Sequence, residues 1–206
     1  MKAIKLLALF FTGILVFASC SSDDDNPAPV NEEELITSVT ITLQAEGEED
    51  VTMTYSDESG LGHDHDHEGE SHDEDDHDHE GAQGVVSGAL KPNVTYTGAI
   101  VLLNESVSPV ENITAEIEEE ADEHQFFFQP IGSELSITTT YADTENDYLS
   151  NGSDNHVGLK FSLTTGAEGH GDFRVILRHQ PKKPNTGLDD AGGETDMDIS
   201  FHVHVE

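Results

Sequence analysis

The sequence predicts an all-β fold: an antiparallel, Ig-like β-sandwich with one short helix and a disordered His/Asp/Glu-rich loop. Three observations carry that prediction. About nine short runs alternate apolar with polar residues at regular spacing. One stretch alone shows helical periodicity, and one long segment contains nothing apolar.

The first two runs show the pattern most clearly. Val39, Ile41 and Leu43 alternate with Thr40, Thr42 and Gln44, and Val51, Met53 and Tyr55 alternate with Thr52 and Thr54. Joined by Glu46-Gly47-Glu48-Glu49, they form a hairpin with one apolar and one hydroxylated face. Further β-like runs are 85–90, 94–103, 125–129, 135–141, 157–164, 173–179 and 196–205. The helix is expected to start at Ser108-Pro109-Val110-Glu111, which has capping-box spacing with Pro at the first helical position. Ile113, Ile117 and Ala121 then recur every four residues opposite a run of Glu. The Gly/Asn/Asp-rich stretches 146–152 and 185–193 read as loops.

Composition narrows function. Among 206 residues there are 8 Lys plus Arg against 43 Asp plus Glu, a formal net charge of −35. Nucleic-acid binding through a basic surface is excluded, because neutralising phosphates needs clustered cations. Cys20 is the only cysteine, so no intrachain disulfide, thiolate zinc cage or cysteine-based catalysis exists downstream.

The N-terminus reads as an export signal over residues 1–19. Lys2 and Lys5 precede an apolar run from Leu6 to Ala18 that is too short to span a bilayer. Ala18-Ser19-Cys20 resembles the bacterial lipoprotein processing site, and Ser21-Ser22-Asp23-Asp24-Asp25 looks like the tract that carries Bacteroidota lipoproteins to the outer face of the outer membrane. Acyl chains on Cys20 would anchor the protein to the membrane without spanning it. Residues 20–34 then form a lipidated acidic tether and 35–206 a single sandwich domain, with a disordered insertion at 57–83.

That insertion carries the main candidate chemistry. His63, His65, His67, His72, His77 and His79 alternate with ten carboxylates between residues 63 and 80, Asp64, Asp66 and Asp78 among them. Imidazole suits zinc, copper and nickel, and the His-x-His spacings put several donors within reach of one ion. Alternating carboxylates add oxygen ligands and concentrate cations. Without a preformed cage, binding must order the loop at roughly 1–2 kcal/mol per residue fixed, so moderate affinity for several ions is expected. The competing reading is a solvated acidic spacer.

His202 and His204, two apart on the last strand, share a face and are secondary metal candidates, with His179 as a third donor. The alternative is two exposed polar-face histidines. His124, His156 and His170 read as surface or turn residues, and Asp143, Glu145 and Asp147 as a solvated turn rather than a cation loop. No nucleophile elbow, phosphate loop, zinc-protease helix or dinucleotide fingerprint occurs, so a non-enzymatic protein is expected.

Several segments carry a family likeness: Asn31-Glu32-Glu33-Glu34-Leu35-Ile36-Thr37, Leu103-Asn104-Glu105-Ser106-Val107-Ser108-Pro109, Glu120-Ala121-Asp122-Glu123-His124-Gln125, Leu177-Arg178-His179-Gln180-Pro181 and Gly192-Gly193-Glu194-Thr195-Asp196. Together they resemble a family of short Bacteroidota lipoproteins without an established active site, over the span 31–206. Its members often carry the name of a type 1 periplasmic-binding fold. That fold alternates strand and helix in two lobes, a pattern one helix among many strands does not match. The resemblance implies location and a β-rich fold, and no functional residue.

Two functions from different classes follow as expectations. The first is an outer-membrane lipoprotein, facing the cell surface or the periplasm, that captures or buffers zinc, copper or nickel through the His-rich loop and serves an outer-membrane metal transporter. The second is an Ig-like recognition or structural lipoprotein that binds a glycan or protein partner, the loop being a spacer.

Overall fold

Alternation at a period of two fixes which side chains turn inward, and in the computed structural model nearly every alternating run becomes a strand. The structure describes residues 34–57, 60, 61 and 84–206. Among them lie β1 (Ser38–Gln44), β2 (Val51–Ser56), β3 (Val85–Val86), β4 (Thr95–Leu103), β5 (His124–Ile131), β6 (Ile137–Tyr141), β7 (Lys160–Thr165), β8 (Gly169–His179) and β9 (Glu194–Val205). One sheet runs β3-β2-β1-β4-β7-β6, the other β5-β8-β9, and neighbouring strands in both are antiparallel.

The two sheets meet over one apolar core. Ile41, Met53, Ile100 and Phe161 from the larger sheet pack in the same cluster as Phe126, Val175 and Phe201 from the smaller. Each fully buried Phe or Ile contributes about 1.5–3 kcal/mol relative to exposure. Phe128 lies between the layers, its ring 4.4 Å from Phe161 and stacked 6.0 Å from Phe173. Room for Phe161 comes from its register partner Gly98, where a Cβ would come within 2.5 Å of the ring.

The outward faces differ. On the larger sheet Thr40 faces Thr54, Thr42 faces Thr52, and Thr164 faces both Thr95 and Thr138, so the hydroxylated face of the first hairpin extends across the sheet. On the smaller sheet, Phe127 and Ile176 are covered by Ala191 and Leu188 of a short helix, α3 (Leu188–Ala191).

Two expectations need correction. The helix α1 spans Ile113–Glu119 with Asn112 as N-cap, so Ser108 does not cap it and Pro109 does not open it. Asn104 and Glu111 exchange both backbone hydrogen bonds at 3.1 Å, which closes the intervening residues into a loop and delays the helix. The four-residue apolar spacing does mark the inward face, since Ile113, Ile117 and Ala121 are all buried. Nor is α1 alone: α2 (Glu145–Leu149) and α3 add single turns inside stretches read as loops. Such short turns carry no apolar period; local capping by Thr144 and Asp147 makes α2.

Residues 1–19 and the tether, Cys20 included and Glu34 excepted, lie outside the described residues, as does most of the 57–83 insertion. At its start, the Asp57 and Leu61 N–H groups donate to the Thr37 and Ile36 carbonyls, which ties these two residues to the segment just before β1. Among the described residues no helix is long and apolar enough to cross a membrane.

Candidate metal centre

His124 opens β5 and His179 closes β8, and the register sets them directly opposite each other. Both continue inward-facing rows, His124 that of Phe126 and His179 that of Phe173, Val175 and Leu177. Asp196 joins them through a break in alternation. The β8–β9 register shifts at Leu177/Arg178, and Asp196 and Met197 are buried in succession. The bulge turns one extra side chain inward, which is how bulges re-aim residues near sites.

The three side chains are buried, and one ligand atom from each lies within 4.8 Å of the others. His124 Nε2 stands 3.6 Å from one Asp196 oxygen and His179 Nδ1 3.8 Å from the other, with the two rings edge-on at 4.6 Å. Those separations are too long for hydrogen bonds. They approach the spacing of about 3.3 Å between ligands that tetrahedral zinc imposes at 2.0–2.1 Å per bond. Both nitrogens are buried and make no hydrogen bond. Orphaned imidazole nitrogens facing a carboxylate are what an ion-binding pocket presents, so this group can hold a metal ion.

What stands behind the imidazoles fits the same reading. The His124 Nδ1–H donates to the Glu120 carbonyl at 3.2 Å, which leaves Nε2 as the bare lone pair. On the far side of His179, Nε2 lies 3.7 Å from Glu123. Desolvation pushes the His124 imidazole down to about 4, against the pull of the Glu120 hydrogen bond, so it is a neutral ligand at any ordinary pH. Lys183 clamps the turn before β5, donating to the carbonyls of Ala121 and His124 while pairing with buried Glu145 at 3.3 Å. Glu34 and Glu120 form a second potential group with His124. Burial, then the hydrogen bond and charge of Glu116, holds the Glu34 carboxyl above the usual carboxylate range, which keeps it a weak competitor.

Several readings of individual residues change. His63, His65, His67, His72, His77 and His79, with Asp64, Asp66 and Asp78, lie outside the described residues. His202 and His204 do share the exposed outer face of β9, but His179 is not their partner. It faces the other side of the sheet, about 30 Å down β8 from the strand's first residues at roughly 3.3 Å per residue. His124 is no surface residue, being wholly buried. Period-two continuation from Phe126 back to His124 would have found it. Asp143 and Glu145 form no solvated turn: Asp143 is buried and accepts from the Gly158 and Lys160 N–H groups and the Tyr148 hydroxyl. His156 does lie exposed in a loop, stacked on Tyr141.

Comparison with protein-family models, curated proteins and solved structures finds no match to this chain.

Proposed function

We propose that the protein is a non-enzymatic, lipid-anchored protein of the bacterial outer membrane that captures or buffers transition-metal ions. The observation that carries this reading is the buried trio His124, His179 and Asp196, whose two imidazole nitrogens face the carboxylate without hydrogen bonds of their own. Two nitrogens and one oxygen suit zinc, copper or nickel and offer hard cations such as calcium little. The six histidines between residues 63 and 79 add capacity, and Cys20 supplies the anchor. Zinc titrated calorimetrically into the full chain should bind tightly at one site, and His179→Gln should remove that site. Equal binding by this variant would overturn the reading.

The hydroxylated outer face of the larger sheet favours a second reading, a recognition module for a glycan or protein partner. A glycan array separates the two: metal-independent binding abolished by Thr54→Ala with Thr164→Ala would support recognition.

A further inference from the structure

We propose that His170, His202 and His204 form a second metal site, open to solvent on the outer face of the smaller sheet. It deepens the metal-capture reading and depends on it for biological meaning, while the site itself stands on its own geometry.

The register of β8 and β9 builds the patch. His170 lies opposite His204, Asp172 lies opposite His202, and the period of two puts all four side chains on one face. The three histidines are exposed. Their ring centroids are 5.0 Å apart for His202 and His204, 5.7 Å for His170 and His204, and 5.9 Å for His170 and His202. With metal–nitrogen bonds of 2.0–2.1 Å, a ring centroid sits about 3 Å from the ion, so three imidazoles on one tetrahedral ion have centroids roughly 5 Å apart. The nitrogens do not converge as the buried trio's do. Convergence needs rotation about χ2, a soft torsion in an exposed imidazole.

Carboxylates behind two of the rings choose the nitrogen that binds. His202 Nδ1–H donates to Asp172 at 2.8 Å, and His170 Nδ1 lies 3.4 Å from Glu134. Each arrangement leaves Nε2 outward as the lone pair, the carboxylate–histidine–metal pattern of known sites. Glycine makes the Glu134 contact feasible. A Cβ at Gly169 would collide with the Glu134 carbonyl and one at Gly171 with the Ile131 carbonyl, so this loop lies directly on β8 and delivers its carboxylate to His170.

An ion held by three imidazoles on an open face keeps coordination positions for water or an incoming ligand. Zinc, copper(II) and nickel(II) are the ions this donor set takes. Such a site exchanges its ion without opening the core, which the buried trio cannot do.

The test uses the full chain with His63, His65, His67, His72, His77 and His79 each changed to Ser, titrated with zinc by calorimetry and with copper(II) by electron paramagnetic resonance. Two ions should bind, and a copper spectrum with three nitrogen ligands should report the open site. Replacing His170, His202 and His204 by Ala should remove one ion and that spectrum, with circular dichroism unchanged, since all three are exposed. Asp172→Asn should weaken the same ion about tenfold and leave the other alone. The open site is overturned if the triple variant binds as its parent does. One ion lost with the triple variant yet kept by His179→Gln would uphold the open site and reject the buried centre. The reverse would reject the open site alone.

Discussion

The smaller sheet carries histidines at both ends, placed there by the same two strands. At one end His179 of β8 faces inward with His124 and Asp196, sealed from solvent. At the other, His170 of β8 faces outward with His202 and His204. Residue type is common to both, so the contrast comes from parity along the strand and from what lies on top. Nine positions separate His170 from His179, an odd step, and an odd step crosses the sheet. The inward end loses hydration and gains a neutral, preorganised ligand. The outward end keeps hydration and the freedom to exchange.

Acid should break this symmetry first. The buried His124 titrates at about 4 rather than its ordinary 6.5. Between those values the unfolded chain takes up a proton that the folded one refuses, so its contribution is fully present above 6.5 and lost as pH falls towards 4. A shift of this size is worth about 3 kcal/mol. Chemical denaturation without metal should therefore show the parent losing stability from pH 7 to pH 3.5, and His124→Gln losing about 3 kcal/mol less over that interval.

Next in size is the effect of the ion itself. At a hundred times its Kd, an ion that binds only the folded state adds about 2.7 kcal/mol. With the six histidines of 63–79 and the open trio removed, zinc should raise the melting temperature of the protein, and Asp196→Asn should cancel the rise. An undiminished rise would show that the buried end is not the seat of binding.

Gly169→Val sharpens the comparison from the other side. Its side chain would strike the Glu134 carbonyl, at a cost of about 1–3 kcal/mol typical of overpacking. Displacing Glu134 should weaken the ion at His170, His202 and His204 while the buried centre keeps its affinity, as paired calorimetric titrations would reveal.

Smallest of all should be Arg174→Ala. Arg174 grips Asp198 with two nitrogens midway between the ends, on a third-exposed face. Exposed pairs give about 0–1 kcal/mol, so stability should fall by less than 1 kcal/mol and both ions should remain.

The sandwich was legible because alternation repeats: Val39 to Leu43 needs no partner to declare its buried face. The start of α1 was not, because the pairing of Asn104 with Glu111 is a tertiary fact that overrides a local capping match. The buried centre was half legible. His124 and His179 sit in phase with Phe126 and Leu177, a signal present in the sequence, but the sequence reading puts His124 on the surface and pairs His179 with His202 and His204 instead. Asp196 could not be placed from sequence, since its inward aim depends on a bulge that moves it out of phase with Ile199 and Phe201. For the open trio, His202 and His204 announced themselves, but only the register of β8 against β9 could name His170 over His179.

The bulge at Asp196 also sets an order of assembly. Synthesis delivers His124 first, His179 fifty-five positions later, and Asp196 only with the final strand. A nascent chain therefore has no complete cage to offer until β9 docks against β8, the last long-range pairing of that sheet. A chain exported unfolded would meet its ion after crossing the membrane, choosing from the metals of the compartment where folding finishes rather than those of the compartment where it was made. Once closed, the ion would join three segments distant in sequence much as a covalent cross-link does, and release would wait on the strands coming apart.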